Sequence, residues 1–278
     1  MTRIGFAYHP YNERAPAMLE RARAWCERTG AEAWDAAAED RATISERLDG
    51  TDLVCVLGGD GTLLRTARAI GGSGVPALGV NLGRVGFLAK VEPDGLEGAL
   101  DQFSAGDYQV EDRFRIAARL LRADGTIDEH ACLNEVVVAR GSRVRMIQVE
   151  VEVSGSHLAT YVADGVVVAT PTGSTAYSFS AGGSILDPRL RNMIITPVAA
   201  YLSPLHSVVA GERHVVRITL RQAGEGALLS IDGQLDVPVH TGDRVEVRAL
   251  PEPLRLIEPA GATPFYDLLR TKASLLPY

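Results

Sequence analysis

The chain has 278 residues, 46% of them hydrophobic and 23% charged, with a formal net charge of −7. That acidic balance argues against a general nucleic-acid or membrane-surface role, and no apolar run approaches the ~20 residues that cross a bilayer. Only Lys90 and Lys272 are lysines, no Gly-Lys-Ser/Thr phosphate loop exists, and Cys26, Cys55 and Cys132 are scattered, so phosphate chemistry must use arginine, main-chain amides and a metal ion, while disulfides and a zinc site are disfavoured.

The opening MTRIGFAYHP reads as a strand rather than a signal peptide, which makes a cytoplasmic location the default expectation. A helix is predicted over Ala15 to Thr29, where Leu19, Ala22 and Trp25/Cys26 recur at helical spacing and Gly30 ends the pattern. Short elements follow: a strand at Glu32 to Trp34 and a helix at Ala42 to Leu48. The apolar run Leu53, Val54, Cys55, Val56, Leu57 reads as a buried strand, closed by Gly58-Gly59-Asp60-Gly61, after which Thr62 is expected to cap a helix carrying Leu63, Leu64 and Ala67. A strand at Pro76 to Val80 and a helix at Gly95 to Ala105 complete an alternating pattern, the mark of a parallel sheet covered on both faces. Ligands in such sheets bind beyond the carboxyl ends of the strands, where the glycine turn and Asn81-Leu82-Gly83 would meet.

Near Tyr108 the pattern changes. Arg115 to Arg122 leads into the turn Ala123-Asp124-Gly125-Thr126, and Gln148 to Val153 alternates strictly between polar and apolar. Thr160 to Thr170, Val215 to Leu220, Ala227 to Ile231 and Arg244 to Arg248 add further strands between glycine turns, and a terminal helix is predicted over Asp267 to Leu275. The expected fold is therefore an α/β N-terminal domain with a Rossmann-like parallel sheet, residues 1–107. A mainly-β, sandwich-like domain over 108–258 follows it. Residues 259–278 are expected to return to the first domain.

Three stretches carry chemistry. The glycine turn after a buried strand aims amides and the positive end of a helix dipole at an anion. Asp60 within it is a poor phosphate ligand, better suited to accepting a proton or holding a metal. Asn134-Glu135 places a carboxamide beside a carboxylate, a pair able to read the hydroxyls of a ribose or another diol. Asp164-Gly165 leads into Thr170-Pro171-Thr172-Gly173-Ser174-Thr175-Ala176-Tyr177-Ser178-Phe179-Ser180-Ala181-Gly182-Gly183, whose hydroxyls can meet sugar or phosphate oxygens and whose small residues admit a flat base beside Tyr177. Ile231-Asp232-Gly233-Gln234 reads as a plain turn. Neither G-x-G-x-x-G nor G-x-S-x-G occurs, which disfavours hydride transfer on a Rossmann site and hydrolysis by a nucleophile elbow.

Together Gly58–Thr62, Asn81-Leu82-Gly83 with Gly86-Phe87-Leu88, Asn134-Glu135, Asp164-Gly165, the Thr170–Gly183 loop and Asp232-Gly233-Gln234 resemble the NAD kinase family. The resemblance implies phosphoryl transfer from ATP or polyphosphate to the 2′-hydroxyl of the adenosine ribose of NAD, giving NADP. It implies Asp60 as general base, the Gly61 amide against phosphates, and Asn134 and Glu135 at the adenosine end. Asp164 would lie by the nicotinamide riboside, with Thr175, Ala176, Tyr177, Ser178 and Ser180 lining the pocket and Arg65, Arg145 and Gln234 at further contact positions. A divalent ion, Mg²⁺, is expected to enter on the donor phosphates without dedicated protein ligands. A homo-oligomer, tetramer or dimer, is implied as well, with no nucleic-acid or membrane partner. The chain departs from the family pattern after Arg213, where a proline is often found, and at Val162, where some members have a basic residue. Two other readings share parts of this pattern: a lipid kinase with the same glycine turn, and a dinucleotide-binding module without chemistry.

Overall fold

Strands and helices alternate from the start of the chain: β1 (Arg3–Tyr8), α1 (Ala15–Thr29), β2 (Glu32–Ala37), α2 (Arg41–Arg47), β3 (Leu53–Gly58), α3 (Asp60–Ile70), β4 (Ala77–Asn81), α4 (Leu96–Ala105) and β5 (Tyr108–Arg113). This is a computed structural model, and it describes residues 1–83, 86–141, 145–203, 205–223 and 226–274. The region after β5 is almost entirely strand: β6 (Ile116–Leu121), β7 (Ile127–Cys132), β8 (Glu135–Arg140), β9 (Ile147–Val153), β10 (Ser156–Ala163), β11 (Gly165–Ala169), the short α5 (Tyr177–Ser180), β12 (Asn192–Val198), β13 (Val208–Gly211), β14 (Val216–Gln222), β15 (Ala227–Ile231), β16 (Leu235–Val239) and β17 (Arg244–Ala249). The chain then closes with β18 (Leu254–Pro259) and α6 (Phe265–Ser274). Leu275, expected in that last helix, lies outside the described residues.

The chain divides into two units, Met1–Asp112 with Pro253–Tyr278, and Arg113–Glu252. The first holds one sheet in the order β2-β1-β3-β4-β18-β5, with β1, β2, β3, β4 and β18 paired in parallel. Every residue of β3 is buried, as a central strand covered on both faces requires. Leu53, Cys55 and Leu57 share one core with Met18, Ala22 and Trp25 of α1 and Leu96 and Leu100 of α4. The expected division at 107/108 and 258/259 falls differently because β5 and β18 are neighbours in this sheet. Neither segment was read as a strand in the sequence, and the sheet each joins is set by the other. The predicted return of the terminal helix is seen in its contacts: the Phe265 ring lies 5.8 Å from that of Phe87, and Lys272 Nζ stands 4.7 Å over the same ring.

The second unit is a sandwich of two antiparallel sheets, β10-β9-β14-β17-β6-β7 and β13-β12-β11-β8-β15-β16. Ile147, Val149 and Val151 of β9 point into a shared core with Val136, Val138, Val166 and Val168 of the other sheet. The intervening Glu150 and Glu152 pair outward with Arg221 and Arg217, so the period-2 pattern marks one wet face. The second sheet is dry on both sides at its central strands β11 and β12. Val137, Val167, Ala169 and Ile194 form a separate apolar cluster on its outer face, against which Leu186 packs. The segment after β11 thus folds back over its own sheet.

Candidate active site

In the first unit, β3 runs into Gly59, the N-cap of α3, and no side chain caps that helix. Thr62, expected as the cap, is instead buried inside the first turn. The helix begins three residues earlier because Gly59-Asp60 itself makes the bend. The Asp60 carboxylate turns back across the unit to another segment: it accepts the Phe87 N–H on Oδ2 at 2.7 Å and the Leu88 and Ala89 N–H groups on Oδ1 at 3.1 Å each. A Cβ on the buried Gly86 would stand 1.9 Å from Asp60 Oδ1, so only glycine admits this approach. A carboxylate has about four acceptor positions, and three are taken by amides. Gly61 is exposed at the same helix start, and Arg65 lies one turn on, its guanidinium 3.4 Å from the Gly61 carbonyl. Asn81 pairs with Gly58 at the ends of their strands.

In the second unit, Asn134 and Glu135 sit at the start of β8 with their main chain held from two sides. Asp232 accepts the N–H groups of Leu133, Asn134 and Glu135 at 3.0, 2.7 and 3.1 Å and the Cys132 thiol at 2.9 Å. From β11, the Thr170 N–H donates to the Asn134 carbonyl at 2.8 Å and the Thr170 hydroxyl to the Leu133 carbonyl. Gly173 closes over the pair so tightly that a Cβ would meet the Asn134 carbonyl oxygen at 2.2 Å. The side chains are in a different position. Asn134 Oδ1, Glu135 Oε2 and Thr172 Oγ1 are buried and have no hydrogen-bond partner among the described residues, a condition that native structures normally reserve for water or a ligand. Burial first, and then the charge of Asp232, pushes the Glu135 carboxyl up to about 8, so it is an un-ionised acid at neutral pH. Burial likewise raises the Cys132 thiol and lowers the Arg115 guanidinium, whose charge also interacts with Asp232.

The loop Thr170–Gly183 differs from expectation in how it spends its hydroxyls. Ser174 donates to the Pro171 carbonyl and accepts the Leu186 N–H, Thr175 donates to the Thr172 carbonyl, and Ser178 shares a hydrogen bond with Thr196. These groups build the loop. Ser178 is fully buried, whereas Ala176 is half-buried and Tyr177, Phe179 and Ser180 are exposed. Asp164, between β10 and β11, pairs with Arg140 Nε at 2.7 Å. Arg145 is exposed in the connection before β9, and Gln234 is half-buried in the turn after β15, its N–H on the Ile231 carbonyl.

Sequence reading did not single out Arg140, and it carried Thr170 and Gly173 only as members of the loop. Asp232 entered only as part of an Asp-Gly-Gln turn shared with the family: Asp232 and Gly233 both adopt positive φ, 52° and 61°, the hairpin geometry such dipeptides favour. Its inward carboxylate leaves no trace in local pattern.

The comparisons with known proteins bear on the family and the fold. The ATP-NAD kinase N-terminal domain family matches residues 10–108, and the ATP-NAD kinase C-terminal domain family residues 133–259. The NAD kinase of Heliobacterium modesticaldum is 43% identical over 229 residues, 82% of this chain and 81% of that protein. That of Carboxydothermus hydrogenoformans is 40% identical over 231 residues, 83% and 82% of the two. In fold the chain is similar to an Archaeoglobus fulgidus NAD kinase solved with ATP, with a TM-score of 0.81 at 24% identity over 99% of this chain and 100% of that one. It is similar also to a yeast NADH kinase solved with NADH, with a TM-score of 0.86 at 19% identity over 100% and 89%. The lipid-kinase reading does not survive two tandem domain matches that each name ATP-NAD kinase, and with them and such relatives the chain belongs to the NAD kinase family.

Proposed function

We propose that this enzyme transfers the terminal phosphoryl group of ATP, or of polyphosphate, to the 2′-hydroxyl of the adenosine ribose of NAD, giving NADP. The observation that carries the reading is the pair of buried, unpartnered oxygens on Asn134 and Glu135 beside a rigidly built loop. Such a pair fits the nucleoside end of the acceptor, where hydroxyl and amine groups could satisfy both. Tyr177 and Ala176 on the same loop would line the pocket with Thr175, Ser178 and Ser180, the last two through main chain and rim. Asp164, oriented by Arg140, would bind the nicotinamide riboside, and Arg145 and Gln234 would add outer contacts.

Asp60 would take the proton of the 2′-hydroxyl on its remaining acceptor position as the hydroxyl oxygen forms its bond to the γ-phosphorus. The bond from that phosphorus to the bridging oxygen breaks, and ADP leaves. A positioned base contributes ~10²–10⁴-fold, and alignment of the reactants supplies much of the rest. The Gly61 amide and Arg65 would face phosphates at the α3 N-terminus. Mg²⁺ would be carried in on the nucleotide, where it would neutralise phosphate charge. The exposed Tyr177 and Phe179 support a homo-oligomer, tetramer or dimer, which light scattering would read directly.

The test is direct. Incubation with ATP, Mg²⁺ and NAD should yield NADP, detected with an NADP-specific dehydrogenase. No NADP with either ATP or polyphosphate would sink the reading.

A further inference from the structure

A two-residue hairpin turn at positive φ asks only for Asn, Gly or Asp, and it asks nothing of the side chain beyond short length. Asp232 meets that demand at φ 52°, yet its carboxylate is only 6% exposed and takes four donors from the four consecutive residues Cys132–Glu135. The Asp232 N–H donates to the Glu135 carbonyl at 2.9 Å, so the turn grips the segment through both main chain and side chain. A carboxylate serving the turn alone would not be fully committed to a neighbouring strand end. Nor would a purely structural clamp leave the side chains of the residues it holds buried and unpaired, as Asn134 Oδ1 and Glu135 Oε2 are.

We propose that Asp232 is a positioning residue for the reaction, holding Leu133–Glu135 so that the Asn134 carboxamide and the Glu135 carboxyl meet the nucleotide in one fixed orientation. The inference rests on the NAD kinase reading and deepens it. Asp232 is buried and committed to its four donors, three on Oδ1 and one on Oδ2; it acts through Asn134 and Glu135. Burial, and after it the charge of Asp232, pushes the Glu135 carboxyl up to about 8, which leaves Glu135 an O–H to donate. The other titratable groups around the pair are Cys132 at the end of β7 and Arg115 before β6, with Glu252 beyond Arg115. Thr170 and Thr172, on the β11 side, carry no charge.

The test compares wild type with Asp232→Asn, which the turn tolerates and which keeps one side-chain oxygen while setting an amide N–H₂ against main-chain N–H groups. Initial rates of NADP formation are measured with each substrate varied in turn, alongside thermal melts. The KM for NAD is expected to rise at least about 10-fold, while the KM for ATP stays within about 2-fold and kcat falls less than about 5-fold. An unchanged KM for NAD overturns the proposal, as does a parallel rise in both KM values with a lower melting temperature, since that pattern reports structural damage alone. Where Asp232→Asn yields no folded protein, the wild-type pH profile decides. Its KM for NAD should rise on the alkaline side of about 8, and Glu135→Gln should remove that rise. A flat wild-type profile from about pH 6 to about pH 10 overturns the assignment. Absence of NADP from wild type would count against the kinase reading instead, and calorimetric titration with NAD would then compare the two proteins directly.

Discussion

Asp60 and Asp232 each gather three consecutive main-chain amides, Phe87 to Ala89 in the first unit and Leu133 to Glu135 in the second. Asp60 stands half-buried at a helix start and keeps an acceptor position in reserve. Asp232 is buried in a hairpin turn, and the Cys132 thiol adds a fourth donor to its carboxylate. The same local chemistry therefore leaves one carboxylate available to a substrate proton and spends the other entirely on geometry. Burial and the number of donors, rather than residue type, separate a base from a clamp.

The sharpest test of that distinction is the isosteric pair Asp60→Asn and Asp232→Asn. Asp60→Asn is expected to lower kcat by ~10²–10⁴-fold with the KM for NAD within about 3-fold, the inverse of the pattern expected for Asp232→Asn. Steady-state kinetics on both variants read this directly. If Asp60→Asn raises KM and leaves kcat near wild type, Asp60 is a second clamp and the contrast is gone.

A second difference lies in what each clamp does to its surroundings. Glu135, beside Asp232, has its carboxyl raised from the usual 4.5 to about 8. Because the folded state holds this proton more tightly than the unfolded chain, the stability contribution is complete below about pH 4.5 and is lost as pH rises through about 8. Over that window the group's effect is roughly 5 kcal/mol at about 1.4 kcal/mol per unit. Denaturant melts of wild type across the window should show this loss, and Glu135→Gln should flatten it. An equal slope in both proteins would mean that Glu135 ionises normally and that Asp232 exerts no field on it.

How much of this was legible in the sequence follows from what pattern can encode. The strand Leu53–Gly58 and the alternation of Ile147–Val153 were plain because burial on two faces and on one face leave different periodicities. The glycine turn, Asn134-Glu135 and the Thr170–Gly183 loop stood out by composition. Asp232 did not, because its partners lie about a hundred residues earlier in the chain and its own neighbourhood requires only a turn. The hydroxyls of Ser174 and Ser178 misled for the complementary reason: a polar side chain does not announce whether it faces a ligand or the Leu186 amide and Thr196. Strand β5 was not read as a strand, and its sheet was set by a neighbour, β18, that arrives only near the end of the chain.

Two glycines permit a test of each clamp without touching its carboxylate. An alanine Cβ at 86 would meet Asp60 Oδ1 at 1.9 Å, and one at 173 would meet the Asn134 carbonyl oxygen at 2.2 Å. Gly86→Ala and Gly173→Ala should each cost about 1–3 kcal/mol of stability, since overpacking forces backbone to move. Their kinetic signatures should diverge, Gly86→Ala lowering kcat and Gly173→Ala raising the KM for NAD. Matching signatures would show that the two segments are not functionally separate.

The smallest effect is expected where neither clamp reaches. Tyr177 opens α5 with 43% of its surface exposed, and the loop beneath it is fixed by Ser174, Thr175 and Ser178 rather than by the ring. Removing the ring should therefore leave stability within about 0.5 kcal/mol of wild type, the usual range for an exposed position. An aromatic contact with a bound nucleotide is worth about 0.5–1.5 kcal/mol, so Tyr177→Ala should raise the KM for NAD roughly 2–10-fold with kcat unchanged. Because Ser178 stays on Thr196 in the variant, any larger loss of affinity would have to come from the loop moving, and a melting temperature that falls with it would show the ring to be a structural prop. An unchanged KM with an unchanged melting temperature would remove Tyr177 from the pocket and leave NAD recognition to the residues that Asp232 and Thr170 hold in place.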